Sequence, residues 1–436
     1  MDNRAILQRS LDYIEENLRS EITAAELAQQ AGFSLFHYYR LFQAEVGMTV
    51  AQYILRRRLL HGIYSIARGK TMVDAALQYG FDTYAGFYRA FCREFGCTPS
   101  DYLRSGRTRR PYRIDLAKEE HLFVTHKKAA KILKTWTLED SVITDIYYDG
   151  TGRKNESACY VGDEFVLKYT ADLEKLKKHI AVSETVENVG LGSAVPVKTA
   201  DGRQFVEDGE LYYFLTRRLP GRQMLSVDFY DGNYVCNARF VGEIIGQLHL
   251  VLRKNEDCGN EEDLLGKVRD WALPQAKKIL RLSDGFCREY LEKFSAIYGK
   301  LPRQMIHRDP NPGNIICAED MWGFIDFDLA ERNIRIYDPC YAATAVLSEN
   351  FGEHDGNWLE VYRNIVYGYD SVVQLTVDEY EAIPYVILAN QFVCVAWFAE
   401  YEKYSELYDK NVQMTRWLMD NMEELKKIIG ENDEND

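Results

Sequence analysis

Apolar residues near the start of the chain, Ile6, Leu7, Leu11, Ile14 and Leu18, recur at intervals of three and four. That spacing predicts an amphipathic helix with one buried stripe. A second helix is expected from Thr23, because a threonine followed three residues later by Glu26 can satisfy the first free amides of a helix. It ends at Gly32. Ser34 then opens a third helix that runs to about Val46 and stops before Gly47, where a left-handed turn suits glycine.

The pattern repeats. Arg40, Phe42, Gly47, Thr49 and Tyr53 reappear 49 positions later as Arg89, Phe91, Gly96, Thr98 and Tyr102, while the Gly32-Phe33 pair returns 48 positions later as Gly80-Phe81. Between the copies, Leu55, Leu59, Ile63 and Ile66 mark a long connecting helix with Arg56, Arg57 and Arg58 on and beside its polar face. Two helix-turn-helix units on one rod suit a reader of successive major grooves, roughly 34 Å apart. Phe42, Phe87, Phe91 and Phe95 fall on the inward face and are expected in the core. Arg40 and Arg89 can act as base readers or as phosphate clamps, and the three arginines of the rod as DNA contacts or as a solvated face.

From about Ser141 the texture changes to strands. Val142–Tyr148 alternates, Asp149-Gly150-Thr151-Gly152 makes a glycine turn, and Ala158–Val161 reads as the return strand. Such a turn lets backbone amides approach phosphate oxygens, although two glycines alone describe any hairpin. The next strand, Glu164–Tyr169, embeds Lys168, suited to nucleotide phosphates. A helix from Ala171 to Val186 offers Glu174, His179 and Glu184 as partners for that lysine, and the sequence leaves the choice open. Further on, Phe240, Ile244 and Leu248 mark a helix ending near His249, which is read as structural.

The chemistry concentrates downstream, in His307-Arg308-Asp309-Pro310-Asn311-Pro312-Gly313-Asn314 and Gly323-Phe324-Ile325-Asp326-Phe327-Asp328. Asp309 can orient or deprotonate an attacking hydroxyl, and the Asn314 amide oxygen and Asp326 carboxylate can hold a magnesium ion that bridges nucleotide phosphates. His307 is expected to brace this loop and Asp338 to cap its backbone amides.

Charge sharpens the division. The chain has a net charge of −14, but residues 1–113 hold 16 Lys/Arg against 11 Asp/Glu, so only the front suits a polyanion. Nine cysteines are scattered, with no CxxC pair, which fits a reduced, cytoplasmic chain without structural zinc. No secretion signal is expected at Met1–Arg4. The longest apolar stretch, Tyr385–Ala399, is too short to span a bilayer and carries Asn390 and Gln391, so no membrane partner is expected. Arg104–Pro111 is a basic, turn-prone tract that ends the front domain.

Across about residues 5–105 the chain resembles the AraC/XylS family of bacterial transcription regulators, most closely from Ala75 to Tyr102. The resemblance implies binding of double-stranded DNA, with Phe36, Tyr39 and Arg40 exposed on the first recognition helix and Tyr84, Ala85 and Arg89 on the second. Over about residues 140–400 it resembles the aminoglycoside phosphotransferase and choline kinase-like family. That likeness rests on Val166-Leu167-Lys168, Leu219-Pro220-Gly221, Leu248-His249, the His307–Asn314 loop and Ile325-Asp326-Phe327-Asp328, with Arg308 standing where glycine is frequent. It implies ATP or GTP with Mg2+ as cofactors: Gly150, Gly152 and Lys168 at the nucleotide, Asn314 and Asp326 at the metal, Asp309 in catalysis, and His307 and Asp338 supporting the loop.

The expected architecture is therefore multidomain. An all-α double helix-turn-helix domain (1–108) is followed by a linker (109–140) and an α+β two-lobed protein kinase-like domain of aminoglycoside phosphotransferase type (141–430). The leading functional expectation is a DNA-binding regulator whose kinase-like domain phosphorylates or senses a small hydroxyl-bearing acceptor or effector, with homodimerisation open. The alternatives are an ATP-dependent small-molecule O-phosphotransferase and a catalytically silent sensor.

Overall fold

A computed structural model describes residues 3–104, 108, 110–116, 124–147, 154–209, 211–253, 261–318, 321–353 and 355–427. The chain divides into two compact units, Met1–Ala171 with Val197–Leu215, and Asp172–Pro196 with Thr216–Asp436.

The first unit begins with seven helices: α1 (Asn3–Asn17), α2 (Ala24–Gln30), α3 (Leu35–Val46), α4 (Val50–Ala67), α5 (Met72–Gln78), α6 (Tyr84–Phe95) and α7 (Pro99–Arg104). Their ends are fixed by side chains that satisfy free backbone groups. Thr23, Ser34, Thr71 and Thr83 each accept the amide three residues on, and Thr49 forms a reciprocal capping box with Gln52. Gly47 (φ 81°) and Gly96 (φ 70°) close the two recognition helices α3 and α6 in the left-handed region, as the repeat predicts.

The repeats build two cores that share the α4 rod. Tyr53 and Ile54 belong to the first with Leu11, Tyr38 and Phe42, whereas Leu59 and Ile63 belong to the second with Phe87 and Phe91. A methyl group on Gly62 would sit 2.7 Å from the Phe87 ring, so α4 and α6 approach too closely for any side chain there.

Arginines 56–58 depart from the expected polar face. Arg56 bonds Glu94 on α6 (2.7 Å), Arg57 is buried and holds both Glu15 on α1 (3.0 Å) and the Tyr112 carbonyl (2.6 Å), and Arg58 bonds the Leu18 and Ser20 carbonyls. They are internal ties, since each guanidinium bonds an acceptor outside its own helix.

Part of the stretch read as a linker is structured. Ile114 and Leu116 are buried in the first helical core, and Gln8 clasps the backbone between them by donating to Ile114 O and accepting from Leu116 N, both at 2.8 Å. The Tyr112 hydroxyl donates to Glu156 on a strand of the following sheet (2.6 Å). Helix α8 (His126–Leu133) and Trp136 pack under that sheet, with the Trp136 indole bonded to Val197 O at 2.8 Å.

The sheet runs β1 (Ile143–Tyr147), β2 (Lys154–Val161), β3 (Phe165–Thr170), then the strands Leu211–Arg217 and Val206–Asp208. All pairings described between β1, β2 and β3 are antiparallel, with Ala158 opposite Lys168. Leu167 points into the core and Lys168 is half-buried, as alternation along a strand requires.

The second unit is mostly helical around one large core. It contains α9 (Leu173–Glu187) and α10 (Tyr234–Leu252), the latter pressed against the helix Asp355–Val373. Glycines allow that approach: a methyl on Gly242 would lie 2.0 Å from Ile365 O, and one on Gly368 2.0 Å from Arg239 O. The helix Val377–Glu400 extends beyond the apolar stretch seen in sequence and is long enough by composition to cross a membrane, yet 67% of its apolar window is buried in this unit. That burial is what a core helix shows.

Candidate functional site

The strand Arg303–Ile306 delivers His307 into the second unit, and a short 3-10 turn at Pro312–Asn314 folds the chain back into the strand Ile315–Cys317. The strand Trp322–Phe324 pairs antiparallel with the latter and leads to Asp326, whose φ of 70° turns the chain sharply. Two bonds join the segments: Ile325 N–H donates to Asn314 O (3.0 Å), and His307 Nε2 donates to Ile325 O (3.1 Å). Asp309, Asn314 and Asp326 are thereby brought to one place.

Asp309 is held by its neighbours. Asn311 Nδ2 donates to Asp309 Oδ1 (2.9 Å), and Asn314 Nδ2 donates to the Asp309 carbonyl (2.9 Å) and to Oδ2 (3.3 Å). Burial pushes the Asp309 carboxyl above its ordinary pKa; bonds from Asn311 and Tyr341 oppose this, while nearby Asp326 adds to it. A shift in this direction increases the carboxylate's affinity for a proton.

Below the loop lies a fully buried carboxylate. Asp338 accepts from His307 N–H through Oδ2 (2.8 Å) and from Arg308 N–H through Oδ1 (2.9 Å). Its Oδ2 also accepts from His249 Nε2 (2.9 Å), and His249 Nδ1 meets the Tyr369 hydroxyl at 2.8 Å. Asp338 and His249 thus belong to one hydrogen-bond network beneath the loop. Gln223 anchors the far side by donating to Gly313 O (2.7 Å).

Magnesium fits the donor set. With its amide nitrogen engaged on Asp309, Asn314 presents its oxygen on the opposite side, and Asp326 supplies a carboxylate on the adjoining turn. Among the described residues no three His, Cys, Asp or Glu side chains form a closed metal cage. An amide and a carboxylate, with waters and substrate phosphates completing the shell, match the ordinary use of Mg2+.

Lys168 stands on β3 in the first unit, and Gly150 and Gly152 fall outside the described residues. Of the three candidates on α9, Glu174 is engaged with Lys177 at the surface (2.8 Å), His179 is buried with Nδ1 3.0 Å from Asp328, and Glu184 is half-buried.

On the helical reading head, Phe36 is 72% exposed and Tyr39 39%, with the Arg40 guanidinium 5.9 Å from the Phe36 ring. Ala85 and Arg89 are exposed on α6, and Tyr84 is half-buried against Phe87. Tyr38, Phe42, Phe87 and Phe91 are fully buried, so each recognition helix turns its aromatic core inward, and of the expected readers only Tyr84 is partly covered.

Fold and loop together define a class: a duplicated helix-turn-helix head joined to a kinase-like phosphotransferase fold. The sequence model of a helix-turn-helix domain matches residues 27–105, and that of the phosphotransferase enzyme family matches residues 150–372. The second match spans just over half of the chain, which belongs to that family.

Curated relatives align with the front. The transcriptional regulator Rob of Salmonella typhimurium is 33% identical over 132 residues, covering 29% of this chain and 46% of the relative. The HTH-type transcriptional activator AarP of Providencia stuartii is 32% identical over 102 residues, covering 23% and 76%. The chain spans a third to just under half of the first relatives it matches. Among solved structures, a microcompartment-associated aminopropanol kinase aligns with TM-score 0.52 and 13% identity, over 68% of this chain and 95% of that one. APH(2")-IIia in its GDP and kanamycin complex gives 0.51 and 13%, over 67% and 98%. These likenesses concern the fold.

Proposed function

We propose that this protein is a transcription regulator of AraC type whose second half binds ATP or GTP with Mg2+ and phosphorylates a hydroxyl on a small molecule in the cytoplasm. The observation that carries the reading is the Asp309 loop, in which Asn311, Asn314, His307 and Asp338 fix a carboxylate beside an amide oxygen and a second carboxylate. In this reading Asp309 receives the acceptor's proton, Asn314 and Asp326 hold the cation, and Lys168 with Gly150 and Gly152 holds the phosphates. The cation supplies charge neutralisation at the transferring phosphate. Phe36, Tyr39, Arg40, Tyr84, Ala85 and Arg89 face the DNA.

The presence of Asp309 together with Asn314 and Asp326 favours turnover over a silent sensor, because sensing requires binding and no base. The test is ADP release by the full chain with Mg2+ and ATP across a panel of amino alcohols, sugars and aminoglycosides. Acceptor-dependent release that falls at least a hundredfold in Asp309→Ala, with nucleotide affinity kept within a few fold, is expected. Nucleotide binding without acceptor-dependent turnover anywhere in the panel would favour the sensor.

A further inference from the structure

Arg308 precedes the proposed base in a conformation that side chains rarely adopt. Its φ is 78°, in the left-handed region where a β-carbon crowds the backbone and glycine is favoured. Something must hold the residue there, and three contacts do. Its backbone N–H is fixed on Asp338 Oδ1 (2.9 Å), its Nε donates to Glu331 Oε1 (2.6 Å), and its Nη1 reaches the Tyr337 hydroxyl while the guanidinium lies 4.5 Å from that ring.

The partners are themselves placed. Glu331 begins the strand Glu331–Ile334, directly opposite Ile306 on the strand that feeds the loop, and its Oε1 also accepts from Asn333 (2.8 Å). Tyr337 opens the helix Tyr337–Asn350 and stacks on Tyr341 one turn later, with ring centroids 5.8 Å apart and planes at 14°. Both side chains of the ion pair are largely shielded, at 15% and 14% exposure, so water competes weakly for the contact.

We propose that Arg308 is a positioning residue for phosphoryl transfer: its guanidinium, clamped between Glu331 and Tyr337, holds the left-handed turn that aims the Asp309 carboxylate. The inference rests on the phosphotransfer reading above. A residue this close to the base transmits small rotations directly, because the Asp309 backbone begins where the Arg308 turn ends. The clamp uses the planar fork of arginine, which pairs with a carboxylate at Nε while resting its face on a ring, and a lysine reproduces only the charge.

The test uses the full chain and three variants, Arg308→Gly, Arg308→Lys and Glu331→Gln, with Mg2+, ATP and whichever panel alcohol is turned over. Glycine accepts the turn without strain, so it separates the guanidinium from the backbone. Expected is a fall in kcat of about tenfold or more in Arg308→Gly and Glu331→Gln, with KM for ATP within about twofold. Arg308→Lys should recover part of the loss, and the Arg308→Gly/Glu331→Gln double variant should be no worse than the poorer single one. Wild-type kcat in Arg308→Gly, or losses that multiply in the double variant, would overturn the proposal.

Hydrogen exchange over residues 305–314 supplies a readout that needs no turnover. Faster exchange there in Arg308→Gly and Glu331→Gln, with reading-head helices unchanged, supports the clamp; unchanged protection in both overturns it. Absence of turnover in the wild type would defeat the phosphotransfer reading alone, leaving exchange to decide the clamp.

Discussion

Replacing Asp338 by asparagine probes the support of the loop while changing little volume. The carboxylate is fully buried and accepts three hydrogen bonds, two on Oδ2 from His307 N–H and His249 Nε2 and one on Oδ1 from Arg308 N–H. Asparagine has one acceptor oxygen. Placed on the Oδ2 side, it keeps two bonds and turns its amide hydrogens toward the Arg308 N–H, so one bond to a charged acceptor is lost and a buried donor is left facing another donor.

The first loss costs about 1.5–3 kcal/mol and the stranded donor about 1–3 kcal/mol, before any relaxation of the loop. Relaxation recovers some of this, so about 3 kcal/mol is expected for the second unit. The assay is urea unfolding of wild type and Asp338→Asn, followed by tyrosine and tryptophan fluorescence and compared at equal m-value. Hydrogen exchange at residues 307–309 should quicken in the variant under native conditions, and kcat should fall with KM for ATP little changed. A stability change below about 0.5 kcal/mol with unaltered exchange at 307–309 would refute the reasoning, since surface substitutions away from such networks behave that way.

Three further outcomes are expected. Burial pushes the Glu15 carboxyl up, but bonds from His61 and Arg57 more than reverse this, so its pKa lies below the ordinary value of 4.5. Its contribution to stability is present above that value and is lost as pH falls through the lower folded pKa, and Glu15→Gln should flatten the acid limb of reading-head unfolding, followed by circular dichroism between pH 6 and 3. Arg40→Ala and Arg89→Ala should each weaken binding to duplexes selected by the full chain, and a loss of about one from the salt slope would mark a phosphate contact, whereas a relaxed base preference would mark a reader. Phe87→Ala, emptying a fully buried site against α4, should cost about 3–5 kcal/mol in thermal or urea unfolding while the second unit's transition stays in place.

Much of this molecule could be read locally. Helix ends were visible because Thr23, Ser34, Gly47 and Gly96 act within a few residues of the groups they satisfy, and Asp309, Asn314 and Asp326 stand within a single short segment. What escaped depends on pairings between distant positions. Arg57 on a charged run looks like a surface residue until Glu15, 42 positions earlier, and the Tyr112 carbonyl close around it. His249 finds Asp338 89 positions away, and Arg308 finds Glu331 across 23. No periodicity marks such partners, because a carboxylate's sequence environment is the same whether it later faces water or a buried guanidinium. Ile114 and Leu116 were hidden for a related reason: two apolar residues just beyond a basic tract carry no helix or strand pattern, yet an extended strap needs none to be buried.

That strap changes where the DNA-reading half ends as a folding entity. The helix-turn-helix match stops at residue 105, but the first repeat takes Ile114 and Leu116 into its interior and grips the backbone between them through Gln8. Burying two such side chains contributes about 1.5–3 kcal/mol each, a sizeable part of the 5–15 kcal/mol that stabilises a typical domain. Excision at the motif's own edge would therefore yield a head with an open seam, prone to stick to other copies, whereas a cut after Leu116 would carry its plug along.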